Sequence, residues 1–207
     1  MHAQDNVYAP PQSSLTQETA EPSALPPFYV VSITKLVLLY VATMGFYSLY
    51  WFWKHWARHK RDKKLDIWPV PRAIFAIFFA HSLNQEIDHR LQRAGKRYSW
   101  SPGMWAGAYV ISAIGGRIVK RIPDAVLPPL PSIWVAMLLM ALNATALVQA
   151  QRAANLACDD PSGAGNSRLT AANWVWLVLG GLLWIFIFVM LAMYLGIWMP
   201  TVYLPAS

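Results

Sequence analysis

WVWLVLGGLLWIFIFVMLAMYLGIWM, residues 174–199, is a run of twenty-six residues without a charge. As a straight helix it would reach about 39 Å, more than the bilayer's hydrocarbon core of about 30 Å, so it must tilt or protrude. Trp174 and Trp176 at one end, with Trp198 and Tyr203 at the other, mark the two headgroup layers where amphipathic rings sit well. This run places the chain in the membrane class.

Composition agrees. Of 207 residues, 56% are hydrophobic, 14% aromatic and only 13% charged, too lopsided for a water-soluble enzyme. The expected fold is all-α: a polytopic integral membrane helix bundle of about four transmembrane helices plus one interfacial or re-entrant amphipathic helix. Beside the last span, about 173–199, the others are expected at about 35–53, 98–118 and 133–150. Residues 36–53 are uncharged, with Gly45 mid-run where a kink or a close helix approach can sit. Residues 98–116 are uncharged but diluted by Gly, Ser and Pro102; residues 133–150 end in the polar Asn143, Thr145 and Gln149, read as groups that join helices by hydrogen bonds. The prolines of PDAVLPPLP, at 123, 128, 129 and 131, cannot sit inside a regular helix and mark a short loop.

The apolar stretch 73–80 is too short to cross. Beyond it Leu83, Ile87 and Leu91 recur every four residues among polar neighbours, the pattern of an amphipathic helix over about 72–94 that Gly95 stops. The first 27 residues carry no Lys or Arg and no apolar core of a signal peptide; their Pro, Ser and Gln content reads as a disordered tail ahead of one domain, 28–203.

Seventeen Lys and Arg against ten Asp and Glu give a formal +7. Seven of the seventeen lie at 54–72, four at 84–100 and two at 151–172, so treating 72–94 as interfacial puts thirteen on one side and four on the other. Positive loops face the cytoplasm, which places both termini in the periplasm. No nucleic-acid module surrounds the basic run, and no nucleic-acid partner is expected. Lys54, Arg58 and Arg61 share a helix face beside Trp51 and Trp53, a surface suited to anionic lipid headgroups at about 1 kcal/mol per charge. Ala108, Ser112 and Gly116, four apart, form a small-residue face for close helix packing.

Chemistry-bearing patterns are sparse. Cys158 is alone, so neither an intrachain disulfide nor a multi-cysteine metal site can form. His55 and His59 share a face and Glu86 precedes His89 by three, spacings that can serve a metal, but five His without a His-rich box favour a basic helix near headgroups. No catalytic residue, cofactor or metal is assigned, and the chain is expected not to be an enzyme.

The string VSITKLVLLYVATMGFYSLYWFWKHW, residues 31–56, resembles the first span of a family of uncharacterised bacterial membrane proteins carrying a domain of unknown function, in which V-S-x-x-K, T-x-G-x-Y and Y-W recur. The matching residues are Ser32, Lys35, Thr43, Gly45, Tyr47, Tyr50 and Trp51. Residues 168–184, RLTAANWVWLVLGGLLW, look like that family's final span. The resemblance implies a bacterial inner-membrane protein and brings no activity, ligand or catalytic residue. The function expected is non-catalytic, acting through lipid, another membrane protein or self-association as an accessory or protective partner. A small channel or transporter component and an immunity protein against a membrane-targeting toxin are the alternatives.

Overall fold

A computed structural model describes residues 25–197. Among them are seven α-helices and no strand: α1 (Ile33–Ala42), α2 (Tyr47–Lys63), α3 (Pro69–Ile74), α4 (Ala76–Arg93), α5 (Pro102–Val119), α6 (Pro129–Ala157) and α7 (Ala171–Tyr194), with one 3-10 turn at Ala164–Asn166. The disordered-tail reading of 1–27 falls, up to residue 24, outside the described residues, as do Trp198 and Tyr203.

Two helices, α6 and α7, are long and apolar enough to cross a membrane. The four-span expectation is corrected first at 35–53, which is two helices. α1 ends at a turn where Met44 and Gly45 take φ +50° and +90°, and the Gly45 N–H bonds Tyr40 O. Thr43 Oγ1 then accepts from the Tyr47 N–H and starts α2. The side-chain contacts give the direction of each limb. Residues just before α1 bond Asn155 of α6, whereas Tyr40 bonds Asn143, so α1 runs antiparallel to α6. α2 returns: Phe52 meets Tyr109 beside Asn143, Trp51 bonds Gln151, and His59 stacks on Phe28. The stretch is a hairpin entering and leaving at one end of the bundle. α1, ten residues and about 15 Å long, has about half the length a bilayer core requires.

α5 begins at Pro102, not at Tyr98, because Ser101 caps it and a proline at the first helical position loses no hydrogen bond. It lies antiparallel to α6: Tyr98 bonds Gln149, Ser112 bonds Asn143, and Gly115 faces the Leu139 side chain. The proline expectation is corrected too. Pro129 and Pro131 are inside α6, in its first turn, where backbone N–H groups have no helical partner to lose. The 72–94 segment is α3 and α4, broken at Phe75 (φ −97°, ψ 36°), with Leu83, Ile87 and Leu91 buried as their spacing requires and Gly95 at φ +64° ending the helix.

α7 starts at a capping box, Thr170 with Asn173, and leans mainly on α1. Gly180 allows this. A Cβ there would strike the Ala42 carbonyl, and Trp184 Nε1 donates to Val41 O at 3.0 Å. Most of α7 is exposed, Gly180 being its single buried residue. The core lies between α1, α2, α4, α5 and α6, and the extended residues 28–31, at most 6% exposed, thread into it.

Candidate functional site: the basic end of the bundle

At the end where α1 and α7 start and α6 finishes, α2 turns one face to the core and another outward. Trp51, Phe52, His55, Trp56 and His59 are buried. Lys54, Arg58 and Arg61 lie on the outer side, with Trp53 partly buried beside them. Lys54 Nζ stands 4.7 Å from the Trp53 ring and 5.4 Å from Tyr50, and the Arg58 guanidinium 5.7 Å from Tyr29. These cations are held over aromatic faces.

Trp51 is a correction: it is 1% exposed, donates its indole N–H to Gln151 Oε1, and cannot reach a headgroup. Of the five residues expected at a lipid surface, four are on the outer side and one is in the core. The small-residue face divides similarly. Ser112 is buried and accepts from Asn143 Nδ2 at 2.9 Å, Ala108 is partly buried against the core, and a Cβ on Gly116 would meet nothing, so the tight approach to α6 falls at Gly115.

Sequence reasoning missed the cluster beneath α2. Gln151 and Asn155, four apart and 0% exposed, lock the 28–31 segment as a neighbouring strand would. Asn155 accepts from the Val31 N–H (3.3 Å) and donates to Val31 O (2.9 Å); Gln151 Nε2 donates to Tyr29 O (2.8 Å) and to Asn155 Oδ1 (2.7 Å). Asn166 donates to Val30 O, and Gly163, at φ +67°, sits so close to Val31 that no Cβ fits. Lys35, buried, donates Nζ to Asn166 Oδ1 (2.8 Å) and Arg168 O (2.7 Å), binding α1 to the loop before α7. The signal available was the pair of amides on the apolar side of a helix.

His55 Nε2 lies 3.3 Å from Gln151 Oε1, already an acceptor, so Nε2 carries the proton. Nδ1 of both histidines and the Trp56 indole N–H have no partner among the described residues. Burial pushes the His55 imidazole down to about 3, and burial, followed by the Lys63 charge, lowers that of His59. Both rings are therefore neutral and apolar in effect, packed by Phe28 (5.5 Å from His59) and Tyr29 (6.0 Å from His55). Glu86 is the carboxylate near His59, at 3.7 Å, and it pairs with Lys63; burial opposes its ionisation, but Lys63 outweighs that and holds it below the usual range. Arg90 pairs with Asp62 at 3.7 Å, so α2 and α4 are tied by charge. No group of three or more His, Cys, Asp or Glu placed to hold a metal occurs among the described residues.

The seven residues behind the resemblance build the α1–α2 hairpin, from its base at this end to its turn. Ser32 caps α1, Lys35 holds the loop, Thr43 and Gly45 make the turn, Tyr47 bonds Tyr29, Tyr50 packs edge-on against Tyr29, and Trp51 holds Gln151. No protein-family model, no curated protein and no solved structure matches the chain.

Proposed function

We propose that the chain is a bacterial inner-membrane protein that acts by binding lipid and other membrane proteins, as an accessory or protective partner, without catalysing a reaction. One observation carries this reading. α7 has twenty-four residues without a charge and almost no cover, a surface that water would not tolerate and lipid tails would. An immunity protein is one form of such a partner. The resemblance to uncharacterised bacterial membrane proteins belongs to the same proposal, on the hairpin residues alone.

Orientation follows from the hairpin. With α5, α6 and α7 as the crossing helices, residues 25–32, the 54–101 region and the 158–170 loop share one side. That side holds fourteen of the seventeen Lys and Arg, Lys35 included, and the other holds Arg117, Lys120 and Arg121. The basic side is the cytoplasmic one. This arrangement replaces the expectation of an N-terminal segment in the periplasm. Trp68, Val70, Ile74, Phe75 and Phe78, each more than half exposed around the α3–α4 break, support it as an apolar wedge at that interface. The pore reading gains nothing from Asn143, which bonds α1 and α5, from Gln149, which bonds Tyr98 in the loop before α5, or from Thr145, which bonds Ala141 O of its own helix.

Alkaline carbonate washing of membranes from expressing cells tests the first half: the protein should stay in the pellet, and release into the supernatant overturns the reading. Affinity purification in mild detergent, with identification of co-purifying proteins and lipids, tests the second. Purification without any specific companion would remove the partner role.

A further inference from the structure

Between α1 and α6 runs an open groove of about 420 Å³. Val37 and Val41 form one wall, and Met140, Ala144 and Val148 the other. Arg152 stands at the end of the groove on the basic side of the molecule. Its position is unusual for its helix: Ala150, Gln151, Ala153, Ala154 and Asn155 are buried, and Arg152 alone among these neighbours is exposed. Among the described residues its guanidinium has no carboxylate within 4 Å; the acid nearest in sequence, Asp159, is taken by Lys96. From Met140 to Arg152 the helix rises about 18 Å, close to the roughly 15 Å depth of one hydrocarbon leaflet.

We infer that this groove is a binding site for one anionic phospholipid of the cytoplasmic leaflet, an acyl chain lying along Val37, Val41, Ala144 and Val148 and the phosphate meeting Arg152. The inference rests on the membrane reading above and adds the ligand class. Three features fit that occupant together. The walls are mainly apolar, and the polar lining groups of Tyr40, Thr145 and Gln149 are taken by Asn143, Ala141 O and Tyr98; the volume falls in the range of small-molecule sites, and the cation is free to form charge-assisted bonds to phosphate. Polar solutes would leave the walls unsatisfied, and a zwitterionic lipid would set its own positive group near the Arg152 charge.

The test uses full-length protein purified in non-ionic detergent, stripped of lipid and titrated with phosphatidylglycerol or phosphatidylcholine under native mass spectrometry. Wild type should retain one phosphatidylglycerol and prefer it over phosphatidylcholine by roughly tenfold, the about 1.4 kcal/mol expected of one charge-assisted contact. Arg152→Gln, an exposed change, should bring the two lipids to equal retention, whereas Arg117→Gln at the opposite end should keep the preference. Ala144→Phe, which fills the groove, should lose both lipids, and Ala144→Leu serves if the larger variant is unstable. Undiminished preference in Arg152→Gln, or undiminished retention in the filled variants, overturns the site. So does a dimer that the filled variants dissociate without change in lipid, which would put a second copy in the groove. A protein that stays in the carbonate pellet yet shows those results loses the groove and keeps its membrane role; one that washes off loses both.

Discussion

His55 shows what burial does to a titratable side chain here. It is 0% exposed, its ring is neutral, and its protonation is held down to about 3, whereas an unfolded histidine titrates near 6.5. Above that value both states are neutral and histidine adds no pH dependence. As pH falls from about 6.5 toward 3, the unfolded chain takes up a proton that the folded one refuses, so stability drops by about 1.4 kcal/mol per pH unit from this residue. Unfolding followed in detergent between pH 7 and pH 4 should show that loss, with His59 adding to it; a flat profile would mean that water reaches the rings. Asn155→Asp tests the amide lock without changing its shape. The aspartate cannot donate to Val31 O and carries a buried charge, so a loss of about 2–4 kcal/mol is expected, read as early proteolysis between residues 25 and 32. Ser112→Leu should cost about 1–3 kcal/mol by overpacking α5 against α6 and stranding the Asn143 amide, measurable as a fall in melting temperature.

Among the helices, α7 depends on one glycine. Gly180→Ala puts a Cβ into the Ala42 carbonyl, and Gly181→Ala puts one into open space. The first should lower the melting temperature by several degrees; the second should leave it level or raise it slightly, since alanine is the better helix former. Equal behaviour of the two would detach α7 from α1. The existence of α7 and the inward face of α4 were legible in the sequence, because an uncharged run and a four-residue apolar period need no knowledge of neighbours. The break at 43–46 was not. Residues 36–53 are uncharged throughout, hydropathy has no sign for direction, and Gly45 announces a kink without saying that the chain turns back. Trp51 misled for a related reason. A tryptophan before a basic run looks like a headgroup anchor, and only Gln151, a hundred residues on, draws it inward. The outer side of Lys54, Arg58 and Arg61 is legible because charge stays out of a core unless, as at Lys35, partners are waiting for it.

For the molecule as a whole, the proposed orientation puts residues 25–32 on the basic side. Single cysteines can be placed in a background where Cys158 is serine and labelled with a membrane-impermeant maleimide. Leu25, Lys63, Lys96 and Asn166 should react only after the cells are opened, and Asp124 should react in intact cells. Labelling at Leu25 from outside would restore a spanning 36–53 helix and dismantle the common basic side. The hydropathy profile alone could not choose between these arrangements, because the count of basic residues differs by the single Lys35. The contact of Lys35 with Asn166 and Arg168 supports the orientation proposed above.

The strand-like clasp of 28–31 by Asn155 joins residues 124 positions apart. A chain made from its N-terminus onward therefore emerges with Phe28, Tyr29 and Val31 lacking their eventual shelter until α6 has been synthesised. Residues 28–31 thus dock only once α6 is in place.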